Sequence, residues 1–205
     1  MVKSPDRMPS FLDKWLQKYR DQGVSAHSDR YSYGHPEIQF RPSEVATTSI
    51  KFGAFCSVAR GCVFNLGSFG RHSIDFISSY PLTMLFGVPG GIDRSAHETR
   101  TASISVGSDV WIGEGSLIFS GVTIGHGAVI GARSIVNTDV PPYSIFAGCP
   151  ARLVRYRFDE QTIKRLLALQ WWEWSDEDLR ERLPHFLSRD VASALDNLEG
   201  LVKRL

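Results

Sequence analysis

The sequence predicts a mainly β fold: a solenoid of stacked triangular coils with a long protruding loop, followed by C-terminal α-helices. Three observations carry that expectation. A six-residue repeat runs unbroken from Val106, a weaker copy of it occupies residues 52 to 69, and helical signals replace it after Gly148.

The strong block reads VGSDVW, IGEGSL, IFSGVT, IGHGAV, IGARSI, VNTDVP. Its first places are Val106, Ile112, Ile118, Ile124, Ile130 and Val136. Its fifth places, Val110, Ser116, Val122, Ala128, Ser134 and Val140, are all small or β-branched. Such a period is neither helical nor that of an alternating strand, and an internal repeat outranks any local reading. Each hexad supplies one short strand and one corner, three hexads close a turn, and the branched first residue points into the prism. Glycine at the second place, as in Gly107, Gly113, Gly125 and Gly131, admits a corner where a Cβ would clash or φ must be positive. The weaker block, FGAFCS, VARGCV and FNLGSF, puts Phe52, Val58 and Phe64 at first places. Cys56 and Cys62 then fall at fifth places, where small core residues belong.

Around these blocks the elements follow in order. Residues Ser10 to Gln22 read as an amphipathic helix with Phe11, Leu12, Trp15, Leu16 and Tyr19 on one face and Gly23 as its stop. Residues 31 to 40 are strand-like, broken by Gly34 and Pro36. The period is lost between residues 70 and 103, a span long enough to suggest a functional loop. Beyond Gly148, Asp159 caps one helix, Ser175 and Asp178 form a capping box for a second, and a third runs from Arg189 toward Lys203. The expected organisation is an N-terminal helical segment over residues 1–30, coils over 31–150 with an active-site loop at 70–103, and a helical cap over 151–205. The cap is expected to fold back on the last coil, whose open end needs cover.

Composition excludes several classes. Lys and Arg number 23 against 22 Asp and Glu, so nothing draws the chain to nucleic acid or a membrane surface. No apolar run spans a bilayer, and the first residues lack a signal peptide's core and cleavage site. Three cysteines form no disulfide framework. A cytoplasmic protein is expected.

The motifs FCSVARG, H-x-x-D…S-x-YP (His72, Asp75, Ser79, Tyr80, Pro81), SDVWIG and the tail GCPARLVRYRFDEQTIKRLLALQWWEW resemble the xenobiotic-acetyltransferase branch of the hexapeptide-repeat acyltransferases. That branch includes streptogramin and chloramphenicol-type enzymes, and related sequences acetylate sugars of surface polysaccharides. The resemblance implies a left-handed parallel β-helix, a homotrimer with active sites between subunits, and acetyl-CoA as co-substrate with no metal. Two departures concern the acceptor. Arg71 stands where relatives carry Asn, and the segment before the first coil is shorter than in antibiotic-modifying members. Both bear on which acceptor is used, and the shortened segment favours a sugar or sugar nucleotide of a surface polysaccharide over an antibiotic such as chloramphenicol or a streptogramin.

The expected reaction transfers acetyl to a hydroxyl or amino group of a small acceptor, and it asks for a base, because an acceptor hydroxyl attacks a thioester poorly until its proton leaves. His72 is the candidate general base, with His97 in reserve. Asp75 would orient His72, bind the acceptor or cap a turn, and Tyr80 and Tyr31 are further candidates for acceptor contact. Trp111 resembles the family residue beside the cofactor arm, or packs at a trimer interface. Gly131 and Ala132 would let backbone approach pantetheine, and Arg133, Arg152 and Arg155 would meet phosphates through their guanidinium forks. No nucleophile elbow occurs, so direct transfer is expected rather than an acyl-enzyme. A γ-type carbonic anhydrase would need three zinc histidines, and the regular coils supply only His126. A non-catalytic trimeric scaffold would explain the hexads but not the histidine loop.

Overall fold

The computed structural model describes residues 10–67, 77–80, 82, 86–87 and 103–202. His72, Asp75 and His97 lie outside them. Among the described residues, thirteen short strands form three sheets that the chain visits in rotation. The first sheet holds β1 (Ser25–Ser28), β3 (Ser49–Phe52), β6 (Ser103–Val106) and β9 (Thr123–Ile124). The second holds β4 (Ser57–Val58), β7 (Trp111–Ile112), β10 (Val129–Ile130), β12 (Ser144–Gly148) and β13 (Ala151–Tyr156). The third holds β2 (Glu37–Gln39), β5 (Val63–Asn65), β8 (Leu117–Phe119) and β11 (Ile135–Val136). Every pairing is parallel except β12 with β13.

The register is that of the hexads. Val106 pairs with Ile124, Ile112 with Ile130 and Ile118 with Val136, each three hexads further along. All six first-place residues and all six fifth-place residues of the strong block are buried. In the weaker block Phe52 and Phe64 are fully buried and meet edge to face at 5.2 Å, so two rings fill what aliphatic side chains fill elsewhere. Cys56 and Cys62 are buried beside them, and burial pushes the Cys56 thiol up to about 12. A thiol so far from ionising serves as a small apolar residue.

Glycine's two uses in the corner separate by position. A Cβ on second-place Gly107, Gly113 or Gly125 would stand 2.5–2.7 Å from backbone nitrogen of the next coil, so these glycines permit close stacking. The positive φ falls instead at the fourth place, in Gly115, Gly121 and Gly127, and also in Asp109 and Arg133.

The sheets begin before the recognisable hexads. Strand β1 pairs with β3 from Ser25 onward, and helix α1 (Phe11–Arg20) packs on it with Leu12, Leu16 and Tyr19 buried. Ser10 caps α1 by accepting the Asp13 N–H at 3.1 Å. Phe11, expected on the buried face, is exposed. The tail forms α2 (Glu160–Leu169), α3 (Asp176–Phe186) and α4 (Val191–Val202), with Asp159 and Ser175 as the expected N-caps.

The tail is expected on the last coil as a helical cap; its first residues instead form strand β13, which pairs there with β12, and the contacts that follow run along the side of the stack. One corner column carries Tyr31, Phe55, Asp109, Gly127 and Tyr143, all with φ between 54 and 68°. The tail meets this column from its first rung to its last: Asp176 on Tyr31, Trp171 against Phe55, Arg157 on Asp109 and Phe158 against Tyr143. Aromatic residues at strained corners supply broad rings there, and a helical segment is needed to cover them.

Candidate active site

Short strands decide which side chains leave the stack. In β7 Ile112 points in and is buried, so its neighbour Trp111 must point out, and it is 57% exposed. Trp111 aligns with Val129, Val129 with Ile145, and Ile145 with Arg155, so one row crosses the outer face of the second sheet. Three strand spacings separate its ends, about 14 Å. The neighbouring row continues through Gly131 to Ala147, which pairs with Arg152. A Cβ on Gly131 would stand 2.8 Å from the Ala147 Cβ, so the track is floored by backbone and small side chains. Trp111 marks one end of this surface, while exposed Arg152 and Arg155 mark the other.

Gly131, Ala132 and Arg133 form the next corner. Arg133 holds φ at 57°, and its N–H donates to the Glu114 carbonyl at 2.8 Å. Ala132 and Arg133 are exposed, so a phosphate approaching there meets an unburied guanidinium. Such a surface suits an extended amide-bearing chain with a phosphorylated end. Tyr80 is exposed, and its N–H donates to Ser78 Oγ at 3.1 Å. Tyr31 lies on the tail side of the stack, where its hydroxyl donates to Asp176. Burial and that carboxylate together hold the Tyr31 hydroxyl above its ordinary range, the hydrogen bond being the larger cause. Among the described residues no group of three or more potential metal ligands occurs, and no helix is long and apolar enough to cross a membrane.

Sequence reasoning missed the polar clasp between the stack and the tail. Arg30 is buried, forms an ion pair with Asp176 at 2.6 Å and donates to the carbonyls of Trp172 and Trp174. Its guanidinium lies over the rings of Tyr31 and Phe55 at 5.5 and 5.2 Å. Asp109 pairs with Arg157 at 3.2 Å; burial raises its carboxyl, and Arg157 opposes that rise. His126, expected at a solvent- or partner-facing place, stacks flat on buried Trp172 at 4.5 Å, and its Nδ1 accepts the Ser108 N–H at 2.9 Å. An unsigned hexad position says nothing of a tail that arrives from another part of the chain.

That geometry makes a pH prediction. Burial lowers the His126 pKa below its ordinary value of 6.5, outweighing the pull of Glu173. The folded protein therefore binds the proton less readily than the unfolded chain, and protonating Nδ1 would remove its acceptor role. The His126 contribution is full above the ordinary value and is lost as pH falls through the lowered one. Thermal melts between about pH 8 and pH 5 are expected to show a smaller acid-side loss in His126→Gln than in the wild type. Equal losses would remove His126 from the account.

No family model matches the chain. A chloramphenicol acetyltransferase from Escherichia coli is 38% identical over 148 residues, covering 72% of this chain and 70% of its own length. A chloramphenicol acetyltransferase from Agrobacterium fabrum is 38% identical over 175 residues, covering 83% of each chain. The galactoside O-acetyltransferase of Escherichia coli K12 is 47% identical over 62 residues, 30% of each chain. Identity at that level across most of both partners, on a frame whose strand register follows the hexads, shows that the chain belongs to the xenobiotic-acetyltransferase branch of the hexapeptide-repeat acyltransferases.

Proposed function

We propose that this acetyltransferase moves an acetyl group from acetyl-CoA to a hydroxyl of a small acceptor, at sites shared between subunits of a homotrimer. The observation that carries the reading is identity to acetyltransferases over most of the chain, combined with the row from Trp111 to Arg155. The three-sheet rotation is read as a left-handed β-helix, the hand that the family resemblance implies. Trp111 would lie beside the pantetheine arm, the backbone at Gly131 and Ala132 would face its amides, and Arg133, Arg152 and Arg155 would meet its phosphates. The loop at residues 70–103 would bring His72 to the thioester.

His72, neutral at its outset, takes the acceptor's hydroxyl proton while the oxygen attacks the thioester carbon. As the carbon–sulfur bond breaks, the imidazolium returns a proton to the departing thiolate. Asp75 and Tyr80 are the proposed acceptor contacts; the hydroxyl of Tyr31, the third residue expected there, is taken by Asp176. The reaction belongs in the cytoplasm, where acetyl-CoA is at hand.

A sugar or sugar-nucleotide hydroxyl is the first-choice acceptor, supported by the short segment before the hexads and by the galactoside relative. An antibiotic acceptor is the second reading, favoured by the chloramphenicol acetyltransferases that match most of the chain. Exposed Trp111, Leu153, Val154 and Tyr156 on the second sheet support the trimer, because apolar surface of this kind calls for cover. Sedimentation is expected to give a trimer at about micromolar concentration, and calorimetry is expected to show weaker acetyl-CoA binding in Trp111→Ala. A stable monomer with unchanged affinity in that variant would refute the shared-site arrangement.

A further inference from the structure

The outer row of the second sheet extends past Trp111. Ser57 aligns with Trp111 and Tyr33 bridges to Ser57, so the row runs Tyr33, Ser57, Trp111, Val129, Ile145, Arg155. Val58 and Ile112 are buried, which turns the side chains of Ser57 and Trp111 to the same outer face, about 5 Å apart along the row. The chemistry of the row changes at Trp111. On one side it is apolar and then basic; on the other it carries two hydroxyls, those of half-buried Ser57 and exposed Tyr33.

With phosphates at Arg152 and Arg155 and the pantetheine arm beside Trp111, the thioester falls on the hydroxyl side, one strand further on. The course of the chain agrees. It leaves the stack after β5 and returns at β6, and His72 lies in that interval of sequence. Strand β5 closes the coil that carries Ser57 and β6 opens the coil that carries Trp111, so the interval begins and ends at the height of this pair.

Attack on a thioester gathers negative charge on its carbonyl oxygen, and a fixed donor beside that oxygen stabilises the transition state. The ladder has none to spare here. The N–H groups of Ser57, Ala59, Trp111 and Gly113 donate to the carbonyls of Val110, Ile112, Ala128 and Ile130 at 2.8–3.0 Å. The donor must then come from a side chain. In this stretch of the row the Trp111 indole stands level with the arm, and the Ser57 hydroxyl stands one strand toward the reacting end. A hydroxyl on a short stem turns freely to donate and is held in place by the strand that bears it.

Resting on the acetyl-transfer reading above, we infer that Ser57 is a catalytic residue whose Oγ–H donates to the thioester carbonyl oxygen. It holds the charge that gathers there as the acceptor oxygen bonds to the carbon. The carbonyl re-forms as the carbon–sulfur bond breaks, and Ser57 keeps its proton throughout.

Isotope-edited infrared spectroscopy of bound acetyl-CoA, labelled with heavy carbon at the thioester carbonyl, tests this without an acceptor. A donated hydrogen bond weakens the carbonyl bond, so the stretch is expected at higher frequency in Ser57→Ala than in the wild type, with calorimetric acetyl-CoA affinity little changed. Ser57→Thr, which keeps the hydroxyl, and Tyr33→Phe, which removes the neighbouring one, are both expected to hold the wild-type frequency. With chloramphenicol or methyl galactoside, whichever the wild type acetylates, Ser57→Ala is expected to lower kcat about 10²-fold at unchanged KM for acetyl-CoA, and Ser57→Thr to recover most of it. A stretch that stays in place in Ser57→Ala, or that moves in Tyr33→Phe instead, would overturn the inference and leave the acetyl-transfer reading standing. So would a kinetic loss confined to KM. Folded wild-type protein that binds no acetyl-CoA would overturn both.

Discussion

Replacing His72 with alanine is expected to lower turnover about 10²–10⁴-fold while leaving the assembly and acetyl-CoA affinity as they are. The size follows from what the residue is asked to do. A hydroxyl holds its proton far too tightly at neutral pH to attack a thioester as an alkoxide, and a neutral imidazole removes that proton within the transition state. Nothing in that role touches the binding of acetyl-CoA in the ground state. The loss should therefore appear in kcat and equally in kcat/KM for the acceptor, with calorimetric affinity for acetyl-CoA unchanged. The comparison with His97→Ala is decisive for the assignment, because both histidines fall in the stretch of sequence between residues 70 and 103 where the hexad period is lost. If His97→Ala carried the large loss and His72→Ala the small one, the base would be His97.

Arg30→Ala is expected to destabilise the fold by about 3–5 kcal/mol, the usual consequence of removing one partner from a buried ion pair. The guanidinium joins the first coil to the tail at Asp176, Trp172 and Trp174, and its loss leaves a partly buried carboxylate with the Tyr31 hydroxyl but no counterion, and two carbonyls without this donor. Trp172 would lose the polar anchor that holds it against His126. In a chain of this length the melting temperature should fall by roughly 10 °C. Protease cleavage between stack and tail should also quicken, since opening of the clasp becomes more frequent. Arg30→Lys should recover only part of the loss, because an ammonium keeps the charge but lacks the planar fork that reaches two carbonyls and a carboxylate together. An unchanged melting temperature in Arg30→Ala would mean that the clasp contributes little.

The stack was legible where geometry repeats. A hexad records one strand and one corner, so the first-place residues Val106 to Val136 announced both their burial and their register. The first coil was not legible, because SAHS at β1 carries no branched first-place residue and follows a helix whose own signal dominates. Positive φ at Asp109 and Arg133 was hidden for the same reason that Gly at the second place was visible. Glycine signals a close approach plainly, whereas a left-handed corner built on Asp or Arg leaves no compositional mark.

The site divides in a similar way. Trp111 and the small residues at Gly131 and Ala132 sit within the repeat, so their exposure and corner position follow from it. The alignment of Arg155 with Trp111 depends on the antiparallel return of β13 along β12, which no hexad encodes. The clasp is harder still. Arg30 and Asp176 are 146 residues apart, and each reads alone as an ordinary surface charge. Capping signals at Ser175 and Asp159 place the helices but not the face of the stack they reach. His72 and Asp75 stand on motif alone, since they lie outside the described residues.

Release of coenzyme A thiol from acetyl-CoA, followed across a panel of acceptors with the acetylated product confirmed by mass spectrometry, tests the central claim most directly. Rapid, acceptor-dependent release is expected with a hydroxylated sugar or sugar nucleotide, and the product should carry one added acetyl group on oxygen. Faster release with chloramphenicol or a streptogramin would select the antibiotic reading. No acceptor-dependent release with sugars, sugar nucleotides or either antibiotic, from a protein that is folded and binds acetyl-CoA, would contradict the account.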